Sequence, residues 1–536
     1  MSTISLHKVS LQFPGQSKPL FDDLSLKIDT RWRCGLVGRN GRGKSSLLRL
    51  LTLAILPDRG TVALQERAVL CARPDPSLRS TTREVIRDVV APFTRWEQEM
   101  ADLLAEGSPP SLNRYGNIMQ EYEHHGGYEI ANRIERECDS LNVDPHCLDR
   151  PFSSLSGGEQ TRAMIASIFL MRDAYPLLDE PTDHLDLEGR AVLARYLRLQ
   201  SGFLLASHDR DLLDECTDHI IAIHRSGVDI HKGNYSTWHA QMLLKEEHER
   251  KTAEKIERQV TILKQSAKDR RQWSNAREST KTGGMDSGFE GARAARQMKR
   301  AIAIERRINK ELGEKEKLLR NRETIYRLRV KENGKLPEFV LRADQVTMQF
   351  GERVVFEDLS LEVRRGDRIA LTGPNGCGKT TMFRLLCGEL APVAGAVHRP
   401  PHLSLGISHQ HPRWTRGLLR GHLLDAKLDE TQFRTILGAL GVGGEVFDQP
   451  LESFSYGQRK KVDLARALST PADAHLWDEP TNAIDLYARE ELERAVLRER
   501  PTLLFIDHDS AFVRNIATRI LRFVETSGRW GLVEAH

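Results

Sequence analysis

Short apolar runs, each closed by a polar or glycine-rich break, occur twice along this chain in the same order. Cys34–Val37 and Ile369–Thr372 each precede a glycine-rich turn and then a helix-like segment, Ser46–Leu51 or Thr381–Leu386. Tyr175–Leu178 and Ala474–Trp477 each close on paired carboxylates, and Phe203–Leu205 and Leu503–Phe505 each lead to a Ser-His-Asp or Asp-His-Asp step. Such runs predict buried strands alternating with helices, an α/β chain. Two stretches keep a helical rhythm instead. From Thr82 to Val143, apolar residues recur at Val85-Ile86, Val89-Val90, Phe93, Trp96, Met100 and Leu103-Leu104. After the break Gly107-Ser108-Pro109-Pro110 a second helical stretch runs to Leu141. This predicts a helical hairpin, an arm. Later, Ala253, Ile256, Val260, Leu263 and Ala267 repeat at alternating spacings of three and four. Ala294, Met298, Ala301, Ile308, Leu312 and Leu319 follow the same rhythm on the return, with charged Glu305 and Lys315 in two of its slots. Two antiparallel helices are expected there, the first of about 40 residues and ~60 Å long.

The offsets between the copies locate the boundaries. Gly38-Arg39-Asn40-Gly41-Arg42-Gly43-Lys44-Ser45 and Gly373-Pro374-Asn375-Gly376-Cys377-Gly378-Lys379-Thr380 lie 335 residues apart; Ser156 and Ser455, like Asp179 and Asp478, lie 299 apart, and His208 and His508 lie 300 apart. A repeat with one change of offset means two like domains, the first carrying 36 extra residues before Ser156. The expected division is residues 1–240 with an arm inside 82–143, a connector over 241–337 with its tip at 280–291, and residues 338–536.

The glycine-rich turns fit G-x-x-x-x-G-K-[ST] twice. Their glycines let backbone N–H groups converge on phosphates, and the helix N-terminus behind adds positive potential. Gly38, Asn40, Gly41 and Gly43 with Lys44, Ser45 and Ser46 are therefore candidate nucleotide contacts. So are Gly373, Asn375, Gly376 and Gly378 with Lys379, Thr380 and Thr381. Ser45 with Asp179, and Thr380 with Asp478, are candidate Mg²⁺ ligands. Glu180 and Glu479 are placed to polarise an attacking water, and His208 and His508 to bond that water and the γ-phosphate. ATP and Mg²⁺ are the cofactors expected, and ATP hydrolysis the reaction.

Composition narrows the setting. No apolar run approaches the ~20 residues of a membrane span. The first residues, Met1-Ser2-Thr3-Ile4-Ser5, lack the pattern of a signal peptide. Seven cysteines without a C-x-x-C suit reduced thiols and a cytoplasmic setting. From Lys245 to Lys335 there are 26 Lys+Arg against 15 Asp+Glu, while the whole chain is only +4. The positive excess is thus confined to the connector. Around its tip stand Arg277, Lys281, Met285, Phe289, Arg293, Arg296, Lys299 and Arg300. A basic rod with an apolar-aromatic tip suits folded RNA, where phosphate neutralisation dominates affinity and aromatics stack; a solvated spacer is the plainer alternative.

Leu155-Ser156-Gly157-Gly158-Glu159-Gln160 matches the ABC-ATPase signature, with a degenerate partner in Phe454-Ser455-Tyr456-Gly457-Gln458. This resemblance implies two ABC-type P-loop domains, each with a helical subdomain, joined by the long antiparallel helical-hairpin linker. It also implies two ATP molecules sandwiched head to tail between the domains of one monomeric chain. Ser156, Gly157, Gly158 and Gln160 would then face the Lys379 loop, and Ser455, Gly457 and Gln458 the Lys44 loop. Phe13 and Phe350 fall where the superfamily stacks adenine, Gln410 where its Q-loop ligates metal, and Asp186 and Asp485 where its D-loop lies. An arm, a basic linker of ~90 residues and tandem domains without membrane spans resemble the ABC-F family. Its members bind the ribosomal E site, touching rRNA of the 50S subunit in the 70S particle and directing the linker at P-site tRNA. Asp286-x-Gly288-Phe289-x-Gly291, Ala294-Ala295-Arg296-x-Met298-Lys299-Arg300 and the second signature resemble the antibiotic-resistance branch. That branch displaces lincosamides, streptogramin A and pleuromutilins from near the peptidyl-transferase centre. A housekeeping ABC-F translation factor is the alternative. Two departures stand out: Val69–Pro74 has no glutamine where the second half has Gln410, and Tyr456 replaces the first signature glycine.

Overall fold

The computed structural model describes residues 2–14, 19–71, 80–183, 185–224, 227–245, 328–330, 338–482, 484–526 and 529–535, with scattered positions between 247 and 265. The chain divides into two compact units: Met1–Ser236 together with Tyr326–His536, and Thr237–Ile325.

The larger unit holds the same layout twice. Its first half has β1 (Thr3–Leu11), β2 (Phe21–Asp29), β3 (Arg33–Gly38), β4 (Arg59–Leu64), β5 (Arg67–Leu70), β6 (Ala174–Asp179), β7 (Phe203–Ala206), β8 (His219–Ile223) and β9 (Val228–Lys232). Its second has β10 (Phe339–Phe350), β11 (Arg353–Arg364), β12 (Arg368–Thr372), β13 (Ala394–His398), β14 (Leu405–Ser408), β15 (Ala474–Asp478), β16 (Leu503–Ile506), β17 (Arg519–Thr526) and β18 (Arg529–Ala535). Each half has a three-stranded antiparallel sheet, β2-β1-β4 or β11-β10-β13. Each also has a six-stranded sheet, β5-β6-β7-β3-β8-β9 or β14-β15-β16-β12-β17-β18. The burial patterns explain the difference. In β2, Leu24, Leu26 and Ile28 are buried while Ser25 and Lys27 face solvent, the alternation of a sheet wet on one side. Every residue of β7 and of β16 is buried, as a parallel strand covered on both faces requires.

Strand order gathers the chemistry. β3 lies beside β7 and β7 beside β6, so Ala206 is flanked by Leu36 on one side and Asp179 on the other. In the second half Ile506 lies between Leu371 and Asp478. The glycine-rich turn, the paired carboxylates and the histidine therefore emerge side by side at the carboxyl ends of three adjacent strands, where open α/β sheets bind ligands.

The arm differs from the two-helix expectation. Thr82–Val143 contains four helices: Thr82–Val90, Phe93–Glu106, Pro109–His124 and Ile130–Ser140. Pro92 ends the first run, because proline cannot continue a helix. Only the middle two helices pair as a hairpin; the outer two pack on the helix Gly157–Leu170. The bridge Thr81–Pro151 corresponds to Leu418–Pro450, offsets of 337 and 299, and the second half joins its helices Leu419–Asp425 and Glu430–Ala439 directly. The extra residues are thus the hairpin itself.

The connector boundary also shifts. Leu328 and Val330, assigned to the connector from sequence, are buried in the second half's core, and Arg498 donates to the Leu328 carbonyl at 2.6 Å. In the smaller unit residues 237–245 are helical, and Glu247 pairs with Lys251 one turn on. The tip residues Arg277, Lys281, Met285, Phe289, Arg293, Arg296, Lys299 and Arg300 lie outside the described residues. Among the described residues no helix is long and apolar enough to cross a membrane.

Candidate active site

Each glycine-rich turn ends on a left-handed glycine, Gly43 (φ 95°) or Gly378 (φ 102°), that starts the helix Lys44–Leu51 or Lys379–Cys387. A Cβ on Gly43 would sit 2.7 Å from the Phe21 ring, so only glycine fits. The Lys44 ammonium donates to the Gly38 carbonyl at 2.9 Å and to Asn40 Oδ1 at 3.3 Å. Lys379 donates to the carbonyls of Gly373 (2.7 Å) and Pro374 (2.8 Å). Gly38 and Gly373 thus hold the lysines from behind.

The carboxylates sit opposite. Ser45 Oγ donates to Asp179 at 2.9 Å, and the Thr380 hydroxyl bonds Asp478. Burial, reinforced by Glu479, pushes the Asp478 carboxyl up to about 6, and its Oδ1 is buried with no hydrogen-bond partner. A hydroxyl beside a carboxylate with a spare oxygen fits a small hard cation such as Mg²⁺. Gln410, expected as a metal ligand, instead places its amide nitrogen 3.2 Å from Glu479 Oε1.

Glu180 and Glu479 both have left-handed backbone, φ 46° and 54°. Their amides donate to Ala206 and Ile506 of the neighbouring strands (2.9 and 2.8 Å), which holds the kink in place. A non-glycine residue there costs about 1–3 kcal/mol and marks a site that needs the geometry. The kink turns each side chain off its strand toward the phosphate loop. His208 Nε2 lies 3.2 Å from Asn40 Oδ1 and 3.3 Å from Glu180 Oε1; His508 Nε2 is 3.8 Å from Glu479. Burial, with the loop lysines adding, holds His508 down at about 4 and His208 well below its usual range. Both rings are neutral at pH 7 and act as hydrogen-bonding groups, one nitrogen donor and one acceptor.

The two carboxylates differ in their company, which the motifs alone did not reveal. Glu479 receives amide donors from Gln410 and from Asn482 (3.2 Å each). At the position matching Asn482, 299 residues earlier, stands Asp183, whose charge adds to burial in pushing Glu180 up to about 8, against the pull of Lys44. The sequence signal was available in Glu180-Pro181-Thr182-Asp183 against Glu479-Pro480-Thr481-Asn482. The pairing of β5 with β6 and of β14 with β15 aligns Leu70 with Ile407, which carries the Gln410 counterpart to position 73, an arginine outside the described residues.

Two cavities join the halves. One of about 980 Å³ is lined by Phe350, Asn375, Gly376, Gly378, Lys379, Thr380, Thr381, Gln410, Glu479 and His508 of the second half, with Ser156, Gly157, Gly158 and Asp186 of the first. The other, about 710 Å³, takes Phe13, Asn40, Gly41, Gly43, Lys44, Ser45, Ser46, Asp179, Glu180 and His208 from the first half, with Tyr456 and Gly457 from the second. Each phosphate loop therefore faces the signature of the other half. Asp485 accepts the Asn40 amide at 2.8 Å across the same boundary, and Arg489 donates to the His208 carbonyl at 2.7 Å. Gln160 and Gln458 are not cavity groups. Gln160 donates to the carbonyls of Phe152 and Leu155, and Gln458 closes a capping box with Ser455. Ser156 likewise caps its helix.

The sequence profile described as ABC transporter matches residues 21–183 and 356–482, more than half of the chain. The chain belongs to this family. The ABC protein described here accordingly binds and hydrolyses ATP. It is 29% identical to the ATP-binding protein Uup of Escherichia coli (strain K12), over 99% of this chain and 81% of that one. It is 27% identical to the energy-dependent translational throttle protein EttA of Mycobacterium tuberculosis (strain ATCC 25618 / H37Rv), over 94% and 88%. Its tandem domains are thus homologous to ABC-F proteins. Among solved structures it shares its fold with the archaeal ribosome recycling factor aABCE1 (TM-score 0.61, 17% identity, covering 98% of this chain and 89% of that one). It shares it equally with a structure described as RNase-L Inhibitor (TM-score 0.62, 17%, 98% and 90%).

Proposed function

We propose that this ATPase is a cytoplasmic, ribosome-directed ABC-F protein that acts on translation. The observation that carries the reading is the likeness to a translational throttle protein over 94% of this chain and 88% of that one. A connector holding the chain's entire positive excess suits rRNA and tRNA phosphates.

ATP in each cavity would lie between one half's phosphate loop and the other half's signature, with Phe13 or Phe350 against the base. Mg²⁺, held by Ser45 with Asp179 and by Thr380 with Asp478, would neutralise phosphate charge. Glu479, fixed by its left-handed backbone and two amide donors, polarises the water, and neutral His508 bonds the γ-phosphate. Loss of that phosphate removes the bridge between each phosphate loop and the opposite signature and lets the cavities open. The Lys379 cavity combines Gln410, Glu479 and an intact Ser156-Gly157-Gly158; the Lys44 cavity has Tyr456 and lacks the glutamine. The Lys379 cavity is the faster site.

A second reading, displacement of antibiotics near the peptidyl-transferase centre, is favoured by the connector sequence around Asp286–Gly291 and by Phe454–Gln458. One experiment serves both. The double substitution Glu180→Gln, Glu479→Gln should stall a cell-free translation system when added with ATP; unchanged translation would overturn the ribosomal role. Expression of the wild type in a drug-sensitive host then separates the readings. Protection confined to lincosamides, streptogramin A and pleuromutilins supports displacement, and no protection supports a translation factor.

A further inference from the structure

The departure at Tyr456 has a structural partner. Where the first signature has Gly157, the Tyr456 hydroxyl donates to the Gln410 carbonyl at 2.9 Å. One helical turn on, the buried Lys460 ammonium donates to that same carbonyl at 3.2 Å, to the carbonyl of His409, and to the Asp478 carbonyl at 2.8 Å. The second signature helix is thereby tied at two points to the segment bearing Gln410 and at one to the strand bearing the paired carboxylates. From Gln410 the connection continues through its side-chain amide to Glu479. Tyr456 itself lines both cavities, whereas Gly157 lines only the one of Lys379. In the first half Thr161, in the place of Lys460, turns its hydroxyl back to the Gly157 carbonyl at 2.8 Å.

We propose that Tyr456 is a positioning residue that couples the two ATP sites, its ring sensing nucleotide at Lys44 and its hydroxyl setting, through Gln410, the carboxylate that works at Lys379. The inference rests on the composite cavities and on hydrolysis at Lys379, not on any ribosomal role. Nucleotide seated against the Tyr456 ring shifts or steadies the start of the signature helix. The Gln410 carbonyl follows, and with it the amide that orients Glu479. Such coupling is reciprocal in binding, so ATP at Lys379 also favours ATP at Lys44. The tyrosine thus does more than fill the space a glycine would leave open: it gives the weaker site a regulatory contact with the stronger one.

The test uses the full chain carrying Glu180→Gln, so that only the Lys379 site turns over, with ATPase rate measured against ATP concentration. With Tyr456 the curve is expected to be sigmoidal, with a Hill coefficient above about 1.4 for two interacting sites. Tyr456→Phe keeps the ring and removes the hydroxyl; it should bring the coefficient to about 1 while a thermal melt shows the fold retained. Adding Lys460→Met should lower the maximal rate further by loosening Gln410. A hyperbolic curve with Tyr456 in place would overturn the proposal. So would a sigmoidal curve that survives in Tyr456→Phe and disappears only in Tyr456→Gly, since packing rather than the hydrogen bond would then carry the coupling.

Discussion

Glu479 sits between two amide donors, and Glu180 sits beside Asp183 with its carboxyl pushed up to about 8. An acid held neutral at pH 7 is a poor base. Glu479→Gln should therefore remove most steady-state hydrolysis, and Glu180→Gln distinctly less. Equal losses in phosphate-release assays would contradict the assignment. The histidines yield a second expectation. Burial lowers both ring pKa values, so each stays neutral as pH falls from 8; His508 gains its proton only near pH 4, and His208 only well below the usual histidine range. In nucleotide-free protein carrying ¹³C-histidine, the His208 and His508 resonances should not move between pH 5.5 and 8. A titration near 6.5 would show that burial does not control them. These charges were only partly legible in the sequence. The motifs put Glu180 and Glu479 in equivalent places, but a motif reports a residue's position along the chain and not its neighbours in space. Asn482 and Asp183 differ visibly, yet the 3.2 Å approach of Asn482 to Glu479 and the charge of Asp183 near Glu180 are both created only by the fold.

At the scale of elements, the hairpin Phe93–His124 is an independent insertion. Phe93 is fully buried and meets Trp96 and Tyr122 edge to face (5.7 and 5.5 Å), so the hairpin carries its own small core. Phe93→Ala should cost about 3–5 kcal/mol of local stability and speed hydrogen exchange in the arm. ATPase rate should stay within about twofold, because local openings in one unit need not reach another. Fast exchange spreading to β3 and β6 would contradict that independence. The second half spans the same gap with 426–429 alone, so a chain with residues 91–129 replaced by that segment should still hydrolyse ATP. Repeat offsets made the insertion's length readable in advance. Its internal break at Pro92 was not, because the apolar rhythm runs straight through Val90 to Phe93 and conceals the proline's interruption. Leu328 and Val330 were misplaced for a related reason: two apolar residues within a charged stretch do not show that they belong to the next core.

Across the whole molecule, the two ATPase halves meet through paired charges as well as through nucleotide sites. Arg210 pairs with Glu493, Arg514 with Asp211 (2.7 Å), and the Tyr235 hydroxyl with Glu490 (2.9 Å). These contacts need no phosphate, so they can hold the halves together while the cavities open and close. The proposed ribosomal role has ATP close the cavities. The most direct measurement is sedimentation of the Glu180→Gln, Glu479→Gln protein with 70S ribosomes in ATP and in ADP, with naked DNA as competitor. The expected result is binding at least about tenfold tighter in ATP, a difference of about 1.4 kcal/mol, and little effect of DNA. Equal sedimentation in the two nucleotides, or binding abolished by DNA, would contradict a ribosome-directed, ATP-closed protein.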